Sequence, residues 1–229
     1  MSHLNLRFHE GSGAPSAREI SIQHAVIAGW TGRDAAAVEK HIVELEALGV
    51  KRPATTPIFY RVAAARISTA PVLEALGTAS SGEVEFVLLQ TGGRLWVGVG
   101  SDHTDREAET LGVSLSKQMC DKPITAEFWA FDDVAPHWDQ LILRSYILEN
   151  GARVLYQEGS VAAMRHPDDL IARYTSGGRL ADNTLMFCGT LAAKGGLRAA
   201  PRFEFELEDK VRGRKIAHGY DITALPVLG

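Results

Sequence analysis

The sequence predicts an α+β fold made mainly of short β-strands in a mostly antiparallel or mixed sheet system, with a few helices inserted. Runs of alternating apolar and polar residues, RFEFELED at 202–209 being the cleanest, recur along the chain with strand periodicity. Glycine-bearing breaks such as Thr91-Gly92-Gly93 fall where hairpin turns would stand. Only two segments, 34–48 and 166–177, carry a clear helical pattern. At 229 residues the chain can bury a substantial core, and no stretch is convincing as a linker. It therefore reads as a single domain over 1–229, with residues 1–28 an N-terminal strand pair packed on it.

Residues 4–9 and 19–28 alternate as strands around the loop GSGAPSA, and Gly29-Trp30-Thr31-Gly32 ends that pattern. A helix follows over 34–48, with Thr31 or Asp34 as cap and Gly49 as stop. Val38, Ile42 and Leu45 form its apolar seam. His41 lies at the edge of that seam, with Glu44 at i+3 on the same side. Residues 50–60 are an extended, proline-marked connection, and 61–69 and 71–77 are each compatible with a short strand or a helix. A hairpin is predicted over 83–90 and 95–100. Beyond it, 137–147 reads as a strand with tryptophans nearby, 152–164 as a further hairpin, and 185–191 as a buried strand. Strands at 202–209 and 214–222 close the chain.

Net charge is −4 and no basic block is present, which removes the electrostatic case for a nucleic-acid partner. The N-terminus has charges where a signal peptide needs an apolar core, and no apolar run reaches membrane-spanning length. Cys120 and Cys188 are far apart and outside any CxxC pattern, so they read as reduced thiols of a cytoplasmic protein.

The stretch from Ser81 to Lys117 carries the chemistry. On a strand, Glu83 and Glu85 share one face while Val84, Phe86 and Leu88 share the other. Asp102 stands at the end of the hairpin partner. Three carboxylates at the rim of an apolar strand pair repel one another unless a cation joins them, and oxygen donors suit a hard ion such as Mg²⁺ or Mn²⁺. Asp105, Glu107 and Glu109 are rival ligands by local spacing. His41 with Glu44 has the composition of a base dyad, and Lys117 that of a stabiliser for a developing negative charge. Each is also what an ordinary solvated surface would show. Ser114-x-x-Lys117 lacks the accompanying K-T-G of a penicillin-binding serine enzyme, and Gly98-Val-Gly100 lacks the third glycine of a dinucleotide fingerprint. Gly189-Thr190, followed by Gly195-Gly196, forms a glycine-flanked loop able to meet an anionic ligand or simply to turn the chain.

Taken in order, His41-Ile-Val-Glu44, Glu83-Val-Glu85, Asp102-His-Thr-Asp-Arg-Glu107, Lys117 and Gly189-Thr190 resemble the motif series of the fumarylacetoacetate hydrolase family, over roughly residues 29–222. The resemblance implies a mixed β-sheet roll or sandwich with a few short helices, a homodimer, and Mg²⁺ or Mn²⁺ acting on a small 2-oxo or β-dicarbonyl acid. It selects Glu83, Glu85 and Asp102 as metal ligands and places His41 and Glu44 on a lid helix. Lys117, Thr190 and Gly189 are then set against the substrate's oxygens. The family's Gly-Arg-Asn-Tyr is here Gly-Trp-Thr-Gly-Arg, and its Gly-Thr-Pro proline is Leu191, departures that bear on substrate more than on metal. The expectation is a metal-dependent hydrolase cleaving a C–C bond. The alternatives are a decarboxylase, dehydratase or isomerase on the same site, or a non-catalytic module that binds metal and a small acid.

Overall fold

The structure is a computed structural model describing residues 1–47 and 52–228; the side chains of His41, Glu44, Leu45 and Ala47 lie outside that description. The chain opens with strands β1 (Ser2–His9), β2 (Ser16–Ile22) and β3 (His24–Gly29), then helix α1 (Ala35–Ala47). Strands β4 (Ile58–Val62), β5 (Ile67–Ser68), β6 (Val72–Leu76) and β7 (Ser80–Ser81) lead to the predicted hairpin, β8 (Val84–Thr91) and β9 (Arg94–Ser101). Next come β10 (Thr104–Asp105), α2 (Arg106–Leu111), α3 (Val113–Met119), β11 (Lys122–Pro123), β12 (Glu127–Ala130) and α4 (Phe131–Val134). The chain continues with β13 (Leu141–Glu149), β14 (Ala152–Ser160), α5 (Pro167–Thr175), β15 (Thr184–Thr190), β16 (Arg202–Asp209) and β17 (Arg214–Leu225).

Among the described residues, one sheet has eight strands in the order β2-β1-β12-β9-β8-β15-β3-β4, and a second has five in the order β14-β13-β16-β17-β6. Pairing is mainly antiparallel, with β1 parallel to β12, β15 to β3 and β17 to β6, so the sheet system is mixed as expected. Alternation along the strands decides what each face buries. Val84, Phe86 and Leu88 of β8 join Leu141, Leu143, Phe203, Phe205 and Leu207 of the smaller sheet in one core. Val87 and Leu89 point the other way, into a second core that also takes Ile20 and Ile22 from edge strand β2 and Val62 from edge strand β4. Opposite edges of the large sheet thus share one apolar interior, which is the signature of a roll. The smaller sheet packs on the outside of that roll.

The hairpin turn is Gly92-Gly93, with φ of 59° and 73° and Thr91 paired to Arg94. Two successive positive φ values make the two-residue turn that follows strand twist, and glycine meets them without a Cβ penalty. Asn150-Gly151 does the same between β13 and β14. Helix α1 is capped by Asp34, whose Oδ1 accepts from the amides of Ala36 (2.9 Å) and Ala37 (3.1 Å), and Ile42 is buried. The expected stop at Gly49 lies outside the described residues.

The structure corrects several local expectations. The first strand pair is three strands, because Gln23 interrupts the second run and β3 departs to pair with β15 and β4. The connection at 50–60 ends in strand, since Ile58 to Tyr60 already pair with β3. Residues 71–77 resolve as strand β6, with Leu73 and Ala75 buried and the alternate residues exposed. His137 to Gln140 belong to a 3₁₀ turn before β13, not to the strand. Helices α2 and α3 replace an unassigned stretch; at 6 and 7 residues they are too short to show a helical period.

Candidate metal centre

Glu85 projects on the same side of β8 as Val87 and Leu89, so it stands at the mouth of the roll's apolar interior. Asp102 follows directly on β9 and extends the hairpin by one bond, its amide donating to the Glu83 carbonyl at 3.0 Å. One oxygen from each of Glu83, Glu85 and Asp102 lies within 4.8 Å of the others. Three acids separated by up to 19 positions are therefore gathered where apolar side chains exclude water from most of their surroundings.

Each carboxylate has one oxygen set against a fixed cation or backbone amide. Glu83 Oε1 lies 3.3 Å from the Arg106 guanidinium, which is anchored by the Ser81 hydroxyl (2.7 Å) and Glu109 (3.0 Å). Glu85 Oε2 accepts from the Gly189 amide at 2.7 Å. Asp102 Oδ1 is 3.2 Å from Lys122 Nζ, close enough for an ion pair but misaligned for a hydrogen bond. The Lys117 ammonium contacts Asp102 Oδ2 and lies 4.0 Å from Glu83 Oε2.

The Gly189 amide is aimed by a bulge. Phe187 pairs with Val87 and Thr190 with Glu85, so β15 has one residue more than β8 across this interval. Gly189 takes φ +98°, and a Cβ there would overlap Thr31 Oγ1 outright. Thr31, buried just ahead of α1, thus forms the wall behind Gly189, whose amide meets Glu85. The Thr190 hydroxyl donates to the Val84 carbonyl (2.8 Å) and accepts from Gln157 (2.8 Å). It ties β15 to β8, and its one proton is already given to the Val84 carbonyl.

Burial holds the Glu85 carboxyl well above its usual range, with repulsion from Asp102 adding to it. Burial also raises Glu83, against the pull of Lys117 and Arg106. Burial would raise Asp102 too, but Lys117 and Lys122 outweigh it and hold that carboxyl below the ordinary value. Lys117 is buried yet kept protonated well above the usual lysine range by Asp102, Glu83 and Glu85. Lys122 is pulled down, first by complete burial and then by the Lys117 charge.

The structure brings Lys117 to the acids as the sequence suggested, and separates the rival ligands from them. Asp105 accepts from the Ala108 amide (2.8 Å) as the cap of α2, Glu109 pairs with Arg106, and Glu107 is exposed. Helix α1 carries His41 and Glu44, but both side chains lie outside the described residues. Sequence reasoning missed Lys122 altogether. It stands in a stretch with no periodic signal, and only the fold shows it fully buried behind Asp102. His103 was also missed as an individual: its Nδ1 meets the Tyr220 hydroxyl at 2.9 Å, that hydroxyl meets Ser101 at 2.9 Å, and its buried Nε2 has no hydrogen-bond partner among the described residues.

Burial lowers the His103 pKa from 6.5 to about 3, and Lys122 and Arg106 push the same way. The unfolded chain takes up a proton near pH 6.5 that the folded protein refuses until about pH 3. Stability supplied by neutral His103 is therefore complete above pH 6.5 and is lost progressively as pH falls toward 3. Urea unfolding at stepped pH is expected to show this decline, and His103→Gln is expected to flatten it. An unchanged slope in the variant would remove His103 as its source.

The arrangement sits on a known architecture. Solved structures align over most of the chain at low identity: Cg1458 with inhibitor (TM-score 0.66, 14% identity, 91% of this chain and 81% of that one) and yeast ynq8, a fumarylacetoacetate hydrolase family protein (0.61, 16%, 90% and 95%). A third is 2-keto-3-deoxy-D-arabinonate dehydratase complexed with magnesium and 2,5-dioxopentanoate (0.58, 16%, 91% and 77%). The fold is therefore of the fumarylacetoacetate hydrolase type. By sequence, the chain belongs to the family described as protein of unknown function (DUF2848), whose model matches residues 28–220. No curated protein matches it in sequence.

Proposed function

We propose that this protein is a divalent-metal-dependent enzyme acting on a small 2-oxo or β-dicarbonyl acid. C–C bond hydrolysis is the first reaction proposed; decarboxylation, dehydration and isomerisation are reactions the same site would support. The carrying observation is the convergence of Glu83, Glu85 and Asp102 at the mouth of the roll. Arg106, the Gly189 amide and Lys122 each engage one carboxylate oxygen, leaving one per side chain to offer inward. Three single-oxygen ligands suit Mg²⁺ or Mn²⁺, which keep remaining positions for water and substrate. The donor set is all oxygen, and one oxygen of each side chain converges within 4.8 Å of the other two, so the residues fit such an ion.

When bound, the ion would polarise the carbonyl of a chelated 2-oxo acid as a Lewis acid. Lys117 then offers an ammonium to an oxygen on which negative charge develops. His41, with Glu44 at i+3 on the same helix α1, is the group proposed to move a proton or activate water. Helix α1 starts four residues after Thr31, which packs on Gly189 next to the amide that meets Glu85, so its N-terminal end is rooted at the site. The gap between Thr31 and Gly189 leaves no room for a side chain at 189, and Gly189 with Thr190 closes that wall. The bound 2,5-dioxopentanoate of the aligned dehydratase is itself a 2-oxo acid, which supports the substrate class.

Saturating Mn²⁺ or Mg²⁺ is expected to raise Tm by roughly 5–10 °C, the shift a native-state ligand at about 100 Kd gives a chain of this size. Glu85→Gln should abolish that rise while leaving the metal-free Tm unchanged or higher. Glu85 has no ion pair among the described residues, so the amide relieves repulsion and stranded charge. Glu83 is less suitable for this test because its loss also strips a partner from Arg106. Turnover of a panel of acylpyruvates, oxaloacetate and sugar-derived 2-oxo acids tests the chemistry, and His41→Ala should lose it with Mn²⁺ binding retained. Stability indifferent to both ions and to EDTA would sink the metal reading.

A further inference from the structure

We propose that the Lys117 ammonium is the built-in counter-cation of the acid cluster. It stands where a divalent ion would and gives up that place when the ion binds. This inference rests on the metal reading above and adds to it an order of events. The two carboxylate oxygens that face Lys117, Asp102 Oδ2 and Glu83 Oε2, are the ones their other donors leave open. An ammonium lodged between these oxygens fills space that an inner-sphere ion bound to both would need. Two cations a few ångströms apart in so dry a site also repel strongly.

The three cations of the site differ in their freedom to move. Lys122 is fully buried on β11, which pairs with β5, and it also donates to the His103 carbonyl. Arg106 is clamped by the Ser81 hydroxyl and Glu109 in addition to Glu83. Lys117 has only the acids as partners among the described residues. It extends from α3, a seven-residue helix on the protein surface, where Leu111 and Leu115 on the same α2–α3 segment are 82% and 52% exposed. Its four-carbon stem belongs to no strand, so it can withdraw without breaking strand pairing. Lys122 and Arg106 remain, fixing Asp102 and Glu83 while Lys117 is released. The released ammonium is then a donor beside the bound ion, free for the oxygen of an incoming acid. Metal entry in this way readies the lysine for substrate.

Mn²⁺ titration of the purified protein, read by calorimetry and water-proton relaxation, tests the exchange without reference to turnover. Lys117→Met is expected to bind Mn²⁺ at least tenfold more tightly than the native chain, and to melt at a lower temperature when metal-free. Equal affinity within twofold, or weaker binding by the variant, overturns the exchange and leaves the metal reading standing. Absence of binding by either protein overturns the metal reading and this inference with it. Should the variant not fold, acetylation of the native protein by an activated ester, mapped by mass spectrometry, decides the matter. Labelling at Lys117 should rise several-fold with saturating Mg²⁺, and labelling that does not change overturns the proposal.

Discussion

Asp102→Asn is expected to destabilise the metal-free protein by about 3–5 kcal/mol, the cost typical of removing one partner from a buried ion pair. The amide keeps the side chain's volume, so little of the loss comes from a cavity. It arises chiefly because Lys122, 0% exposed and fixed on β11, loses the carboxylate it approaches, while Lys117 keeps Glu83 alone. For a chain of this length the Tm should fall by roughly 6–20 °C. Urea unfolding of the single variant and of Asp102→Asn/Lys122→Met provides the check. The double variant should recover part of the loss, because the cation deepest in the core is removed together with its anion. A single-variant cost below about 1 kcal/mol would show that the lysines find other compensation, and the electrostatic account of the site would fail. The sign is opposite to that expected for Glu85→Gln, although the two acids are neighbours. Asp102 neutralises buried cations, whereas Glu85 is held by one backbone amide and its own burial.

Gly189→Ala should be comparably damaging for a steric reason. The residue sits at φ +98°, where an L side chain is strained by about 1–3 kcal/mol, and its Cβ would overlap the Thr31 hydroxyl and stand 3.0 Å from Thr31 Cβ. Overpacking in a closed site adds a further 1–3 kcal/mol or so. The bulge must open, and the 189 amide then leaves Glu85 Oε2, so metal affinity should fall together with stability. Thr31→Ala/Gly189→Ala removes the hydroxyl from the clash and not the backbone strain. It should therefore recover some of the loss and not all of it, as denaturation midpoints would show. Full recovery would place the whole effect in the hydroxyl contact, and no recovery would place it in the backbone.

Much of the architecture was legible from period and punctuation. The β8–β9 hairpin, α1, α5 and the last two strands follow from alternation, capping residues and glycine turns, all of which act over a few residues, and the structure chose Asp34 over Thr31 as the cap of α1. The elements that were misread are those without a local signature. Helices α2 and α3 are shorter than two turns' worth of pattern, and β4 and β6 are strands whose status depends on the partner that pairs with them. Gln23 splits one predicted strand because β3 is claimed by β15, some 160 residues away.

At the site, the local spacing of Glu83 and Glu85 placed two acids on one face of a strand, since side-chain direction in a strand depends only on parity. Hydrophobic neighbours put that pair at the edge of a core. Asp102 as third acid could not be told from Asp105, Glu107 or Glu109 by spacing, and the motif order singled it out. Only the tertiary structure decided which cations balance these acids and which oxygens they leave open. Lys122 arrives from β11, Lys117 from a helix that folds back over the hairpin, and the Gly189 amide from a bulge more than a hundred residues downstream. These contacts are set by how a sheet curls and where a short helix lands, which are collective results of packing. The acids of this protein were therefore readable from the chain itself. Their charge balance, and with it the proposed exchange of a lysine for a metal ion, belongs to the fold.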